Sequence, residues 1–172
     1  KQGKEVTVLI AVDTGMGRIG YQAEDVDRAA KEIAAMEKMP NLRVKGMFSH
    51  MSSADCIDKA YACFQANRYK AFYEGVTARG VKLPFRTFAN SASIMEIPDV
   101  YYDAVRPGII LYGCYPSDEM RREELDLKPV MSVKANIVWL KDVPAGFSVG
   151  YGRKYISKKP AKIATLALGY AD

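Results

Sequence analysis

Along the first two thirds of the chain, segments with the hydrophobic pattern of strands alternate with segments whose apolar residues recur at helical spacing. Continuous apolar runs rich in β-branched residues are typical of strands buried on both faces. One such run covers residues 6–12, and further strand-like segments cover residues 44–49, 84–89 and 101–105. Apolar residues at helical spacing predict the intervening helices, which cover residues 23–39, 57–79 and 92–96. Four strands separated by helices predict right-handed βα units and a parallel sheet.

The pattern changes in the last third of the chain. A charged stretch over 118–126 has the character of a linker, and strand-like runs then follow one another without helices. These runs cover residues 131–140, 148–155 and 162–168. We therefore predict a first domain over 1–116, a linker over 117–128 and a second domain over 129–172. The first is α/β, and the second is the start of an all-β domain.

Composition limits the classes of protein to which this chain can belong. The chain has 172 residues and a net charge of +5, but its basic residues are scattered, so we expect no nucleic-acid partner. No apolar run has the length of a bilayer span, and we expect no membrane association. Three cysteines without a CxxC pair and a single histidine, His50, predict neither a disulfide framework nor a metal site. Reduced cytoplasmic thiols are the default for such a chain.

Polar and small residues collect where each predicted strand ends. The four segments are 13–20, 49–55, 90–93 and 106–109, which read DTGMGRIG, SHMSSAD, NSAS and RPGI. Because the carboxyl ends of parallel strands meet at one edge, we expect these segments to form one site, as in (β/α) barrels. Small residues before a helix or turn free N–H groups that suit phosphate. The Walker nucleotide pattern is absent from the sequence.

Taken in order, these segments resemble the alanine racemase family. The matching strings are VDTGMGRIG, FSHMSSAD, FANSAS, VRPGIILYG, VPAGFSVGYGRKY and LALGYAD. The resemblance implies a (β/α)8 barrel followed by a β domain, with pyridoxal 5'-phosphate as cofactor and a homodimer in the cytoplasm. It implies the interconversion of L-alanine and D-alanine for bacterial cell-wall peptidoglycan. It places this chain over the second half of the barrel and the first strands of the β domain.

The resemblance also implies a role for each matching residue. The implied cofactor-binding residues are Arg18, His50, Asn90, Ser91, Arg106, Gly108 and Ile109. The implied catalytic residues are Tyr151, His50 and Arg106, and the implied substrate corridor holds Asp55 and Tyr170. Racemisation needs a base on each face of the substrate, and Tyr151 would be one of them. We expect it to need cationic neighbours such as the His50–Arg106 pair to act as a base.

Three positions depart from the family pattern. Gly150 stands where serine is usual, and Ala11 stands where many members carry a carbamylated lysine that braces the residue matching Arg18. We expect an anion or another side chain to brace Arg18 instead. Lys134 begins a V-K-A-N string like that around the family's cofactor lysine, but the rest of that motif does not follow. We therefore predict a fragment that lacks this lysine, is inactive alone and is prone to self-association through unpaired sheet edges.

Two other functions remain open on the sequence alone. One is a serine or broad-specificity racemase of the same family, because the residues that choose the side chain lie mostly outside this chain. The other is a non-catalytic relative that binds pyridoxal phosphate. The motifs around Tyr151 and Tyr170 argue against it, since single-domain carriers lack the β domain.

Overall fold

A four-stranded parallel sheet forms the centre of the first part of the molecule. The structure is a computed structural model and describes residues 3–169. The strands are β1 (Val6–Asp13), β2 (Tyr21–Gln22), β3 (Leu42–Phe48) and β4 (Phe85–Thr87). They pair in the order β2-β1-β3-β4, and every pairing is parallel. The predicted parallel sheet is confirmed, and β2 is a short strand that the sequence pattern did not predict.

Three helices accompany the sheet. They are α1 (Val26–Met36), α2 (Ala60–Ala78) and α3 (Ser91–Glu96). The predicted second helix is three residues too long at its start, because the Asp58 carboxylate accepts the N–H of Ala60 at 2.8 Å and sets the first turn there. Its end, at Ala78, is one residue before the predicted one: Gly80 follows in the left-handed region at φ +87°, and its N–H donates to the carbonyl of Thr77.

The hydrophobic core lies between the sheet and the helices. Tyr69 of α2 is fully buried and stacks on Phe88 with 4.6 Å between ring centroids. Its hydroxyl donates to the carbonyl of Met47 on β3, so that the phenol is satisfied inside the core. Phe72 and Val76 extend the same buried face, and each such side chain stabilises the fold by about 1.5–3 kcal/mol.

The predicted fourth strand, 101–105, is wrong. Its contact with the sheet is a single parallel bridge between Ala104 and Thr87. Tyr102 adopts φ +50°, in the left-handed region, which breaks an extended run of β-branched and aromatic residues. Asp103 then makes two bonds with Arg86: its carboxylate accepts the Arg86 N–H, and its own N–H donates to the Arg86 carbonyl. This segment is therefore a turn fastened to the end of β4.

The chain divides into two compact units, and the second begins at Met131. Its strands are β5 (Ile137–Val143), β6 (Ser148–Val149), β7 (Tyr155–Ile156) and β8 (Ala161–Leu166). β5 pairs with β8 and β6 with β7, both antiparallel. The predicted single strand 148–155 is interrupted by a 3-10 turn at Tyr151–Arg153, because Gly150 at φ +77° precedes this turn and Gly152 at φ +67° lies within it. Within residues 3–169, no helix combines the length and apolar character needed to cross a membrane.

Candidate active site

A cavity of about 350 Å³ opens at the carboxyl ends of the parallel strands. The predicted site residues in its wall are His50, Asp55, Asn90, Ser91, Arg106, Gly108 and Ile109. They come from the loops after β3 and β4 and from the segment after the Asp103 turn. A volume of this size is at the small end of ligand pockets in proteins.

A larger cavity, about 510 Å³, lies elsewhere in the same unit. It follows the edge of β1 beside α1, and its wall is mostly aliphatic, with Ala11 and Gly20 among the lining residues. Gly20 is packed so closely on β1 that a Cβ there would lie 2.6 Å from the Ala11 carbonyl. This groove lacks convergent polar groups, so the smaller cavity is the better candidate for chemistry.

Arg106 is held by the main chain at the strand ends. Its Nη2 donates to the carbonyl of Ser49 at 2.5 Å, and its Nη1 donates to the hydroxyl of Thr87 at 2.8 Å. Burial lowers the pKa of the guanidinium, and the charge of Arg18 adds to the effect. Arginine nevertheless stays protonated in proteins, so the cavity wall carries a fixed positive charge at this point.

His50 follows β3 and borders the cavity between two cations. Burial is the largest cause that lowers the pKa of its imidazole below the ordinary value of 6.5, and the charges of Arg18 and Arg106 lower it further. The ring is therefore neutral at pH 7, with one nitrogen as donor and the other as acceptor. The expected cationic pair consequently carries its charge on Arg106 rather than on His50.

Asn90 and Ser91 have different tasks at the start of α3. The Asn90 side-chain oxygen caps the helix by accepting the N–H and the hydroxyl of Ser93 at 3.1 and 2.9 Å. Ser91 instead accepts the N–H of Gly108 at 2.8 Å. Because that bond uses a lone pair of Ser91, its hydroxyl hydrogen remains available to a ligand in the cavity.

Arg18 sits at the end of a loop that Asp13 organises. The Asp13 carboxylate accepts the N–H groups of Gly15 and Gly17 at 2.9 and 3.0 Å. The Gly17 bond is the largest cause that lowers the pKa of Asp13. Among residues 3–169, Arg18 has no ion pair or side-chain hydrogen bond, so the brace that the sequence led us to expect is not provided by this part of the chain. Arg18 and His50 border a common small pocket.

Asp55 lies on a loop that Lys59 and Glu96 fasten down. The Lys59 ammonium donates to the carbonyls of Ala54 and Cys56 and to the Glu96 carboxylate. Burial raises the pKa of Glu96, but its bonds with Lys59 and the Arg121 N–H outweigh burial and hold it below the ordinary value of 4.5. Sequence reasoning missed this pair, because a lysine before a helix and a glutamate at the end of another are common on surfaces.

Three other residues singled out in the sequence, Lys134, Tyr151 and Tyr170, belong to the last third of the chain. Tyr151 belongs to the second unit and is 98% exposed. Lys134 is exposed in the irregular segment before β5. Tyr170 lies outside the described residues.

A parallel sheet with polar loops gathered at the carboxyl ends of its strands is the arrangement of a (β/α)-barrel enzyme. Comparison with known proteins narrows this class. The sequence profile of the alanine racemase N-terminal domain matches residues 1–116, and that of the C-terminal domain matches residues 130–172. The chain belongs to the alanine racemase family, and its α/β segment followed by a β segment is the fold predicted from the sequence.

Individual relatives agree with this assignment. The alanine racemase of Clostridium kluyveri is 49% identical over 169 residues, covering 98% of this chain and 43% of the relative. The solved alanine racemase of Clostridium difficile 630 is 39% identical with a TM-score of 0.80, covering 99% of this chain and 44% of that one. Another structure of that enzyme, in complex with cycloserine, is 37% identical with a TM-score of 0.72 and similar coverage, 99% and 43%. The chain thus spans less than half the length of these relatives.

Proposed function

We propose that this chain is part of a pyridoxal-phosphate-dependent racemase that interconverts L-alanine and D-alanine. The observation that carries the proposal is the cavity at the strand ends, where seven residues matching the family's site line one wall. Relatives that are 40–49% identical over nearly the whole chain bear the name alanine racemase. The role of each residue below is part of the proposal.

The residues of the cavity fit the proposed cofactor. A phosphate needs hydrogen-bond donors, and the free hydroxyl hydrogen of Ser91, whose oxygen accepts the Gly108 N–H, lies in the same wall as Ile109 and its main-chain N–H. A Cβ on Gly108 would meet a single atom within 4 Å, the Ser91 oxygen at 3.5 Å, so the main chain borders open space there. When bound, pyridoxal phosphate supplies an electron-withdrawing ring that makes the substrate Cα–H acidic.

Arg106 would hold the ring nitrogen, and His50 would stand beside the ring. A guanidinium donates a hydrogen bond without giving up its proton, so the ring nitrogen would stay unprotonated. This tempers the electron withdrawal of the ring and disfavours side reactions such as transamination. Because Ser49 and Thr87 fix Arg106 in place, this electrostatic setting exists before a ligand binds. Asp55, which also lines the cavity, would guide the substrate.

Tyr151 would be one of the two bases, acting at the site of a partner subunit in a homodimer. Its phenol is 98% exposed, at a 3-10 turn that two glycines shape. An aromatic side chain this exposed is suited to contact a second molecule. The other base, a lysine, would come from a part of the protein other than this chain.

Racemisation by the full-length protein tests the proposal. We expect Tyr151→Phe to abolish most of the conversion of L-alanine to D-alanine, by about 10²–10⁴-fold, because general base catalysis contributes this much. The fold and the binding of pyridoxal phosphate should be unchanged, since the hydroxyl makes no contact that the core needs. Borohydride reduction of the bound cofactor, followed by peptide mapping, locates the lysine that holds it. Near-normal racemisation by Tyr151→Phe, or trapping of the cofactor at Lys134, would contradict the proposal.

Two alternatives have their own outcomes. A serine or broad-specificity racemase would convert L-serine at least as well as L-alanine in the same assay. A non-catalytic relative would bind the cofactor and convert neither; the match to both family domains favours the enzyme. A cytoplasmic location and a role in supplying D-alanine to peptidoglycan belong to the same proposal.

A further inference from the structure

The amide of Gln65 is a fully buried polar group that the proposed function leaves unused. It lies on the face of α2 that packs against the sheet, where its buried companions include Ala62, Phe72 and Val76. Moving an amide out of water without hydrogen bonds costs about 2–7 kcal/mol. A glutamine is retained at such a position only if its donors and acceptors are matched.

All four hydrogen-bonding sites of the amide are matched. The Oε1 atom accepts the N–H of Ser52 at 2.9 Å and the Ser52 hydroxyl at 3.1 Å. The Nε2 atom donates to the hydroxyl of Thr14 and to the carbonyl of His50, each at 3.1 Å. Because an N–H can only donate and a carbonyl can only accept, the Ser52 and His50 main-chain groups allow a single orientation of the amide.

Two of these bonds hold the main chain on both sides of Met51. The amide pairs with the His50 carbonyl and the Ser52 N–H, which are the groups that a neighbouring strand would take up if β3 continued. From the other side, Asn90 Nδ2 donates to the Met51 carbonyl at 3.3 Å. The backbone from which the His50 side chain departs is therefore held from both sides.

The bond from the Gln65 amide to the Thr14 hydroxyl leads toward Arg106, the cation of the cavity wall. The Thr14 and Ser49 hydroxyls, both buried, are 2.9 Å apart. The carbonyl of Ser49 in turn accepts the Nη2 hydrogen of Arg106. A continuous polar chain thus runs from the middle of α2, past the ends of β1 and β3, to the guanidinium.

We propose that Gln65 is a positioning residue, whose buried amide sets the direction of His50 and supports the placement of Arg106. It reaches the cavity only through the main chain of residues 50–52 and through Thr14 and Ser49. The effect on catalysis rests on the proposed function, whereas the position of His50 is a property of the protein itself.

The test combines a spectroscopic and a kinetic measurement on the full-length protein. Gln65→Met keeps a similar length and removes all four hydrogen bonds. In protein labelled with [13C]histidine, the His50 signal is assigned by its loss in His50→Gln. We expect Gln65→Met to move that signal and to raise the His50 pKa toward its ordinary value, because the imidazole leaves its buried place. The kcat/KM for L-alanine should fall by about 10- to 100-fold, the range for a displacement of about 1 Å.

Tyr69→Phe is the matched control. It lies one turn further along α2, is equally buried, and loses one hydrogen bond to Met47 on β3, before the 50–52 segment. The His50 signal and kcat/KM should stay close to those of the parent protein. If Gln65→Met does not fold, Gln65→Glu replaces it. That variant keeps the shape but turns an oxygen toward the His50 carbonyl, and should move the His50 signal in the same way.

The outcomes separate this inference from the proposed function. An unchanged His50 titration in a folded Gln65 variant overturns the positioning role, even where activity falls. A shifted His50 signal in a protein that racemises nothing, before or after substitution, supports the positioning role and refutes the proposed function.

Discussion

Replacing Lys59 with methionine is expected to loosen the loop that carries Asp55. The Lys59 ammonium uses all three of its hydrogens, donating to Ala54 O at 2.7 Å, to Cys56 O at 2.8 Å and to the Glu96 carboxylate at 2.5 Å. The side chains of Lys59 and Glu96 are only 28% and 5% exposed. Methionine retains the apolar stem but leaves two carbonyls and a buried carboxylate without this donor.

The expected loss of stability is about 2–3 kcal/mol. Removing one partner of a buried ion pair costs about 3–5 kcal/mol. Here Glu96 keeps the Arg121 N–H at 2.8 Å and its guanidinium at 3.7 Å, and Lys59 is partly exposed, so the expected cost lies at or just below the lower end of this range. For a chain of 172 residues, about 1 kcal/mol lowers the Tm by about 2–4 °C. Thermal unfolding at pH 7 should therefore show a fall of about 4–12 °C.

The pKa of Glu96 determines how the stability difference between the parent protein and Lys59→Met changes with pH. The pKa of Glu96 in the folded protein is below the unfolded value of 4.5, so its stabilisation is complete above pH 4.5 and is lost as the pH falls through the folded value. The difference between parent and Lys59→Met should therefore shrink in acid. Lys70→Met is the control, since Lys70 and Glu74 form an exposed pair at 3.9 Å worth less than about 1 kcal/mol. The reasoning fails if Lys59→Met costs no more than Lys70→Met, or if its cost is the same in acid.

Two further substitutions test the packing of the sheet and the loop after β1, and a third, Gly146→Ala, is the control for the first. Gly46→Ala would bring a Cβ within 1.8 Å of the Phe85 carbonyl and should cost about 3–5 kcal/mol in urea unfolding. Gly146→Ala, in open space at φ +83°, should cost only about 1–2 kcal/mol, and equal costs would refute the packing argument. Asp13→Ala frees the N–H groups that hold the loop and should cost about 1–2 kcal/mol at pH 7. Because the folded pKa of Asp13 is lowered from 3.8, this cost should vanish well below pH 3.8, and a cost that persists there would contradict it.

The sequence predicted those features that depend on local pattern. The strand-like segments 6–12 and 44–49 located β1 and β3 to within two residues, although both strands are partly exposed and β3 carries Arg43 and Lys45. The gathering of His50 and Ser91 at one cavity followed from the parallel direction of β3 and β4, whereas Arg106 joins them although the strand predicted before it is a turn.

Other features were beyond sequence reasoning because they depend on distant partners. The run around Tyr102 has strand composition, yet its left-handed φ and its bonds with Arg86 make it a turn. Gln65 is unremarkable in a helix until the neighbouring strand ends bring Thr14 and Ser52 to it. The signal available in the sequence was a polar residue on an otherwise apolar face of a helix. Such a signal does not indicate which residues the side chain contacts.

The cavity at the strand ends links ligand binding to folding. Its wall joins residues as distant along the chain as Met16 and Ile109, so it exists only when β1, β3 and β4 are paired and the Asp103 turn is fastened. A ligand that fills it binds the folded chain alone, and at a hundred times its Kd it would add about 2.7 kcal/mol to the stability of the unit. The ligand would therefore act as a folding aid, and cellular levels of this protein would follow the supply of that ligand.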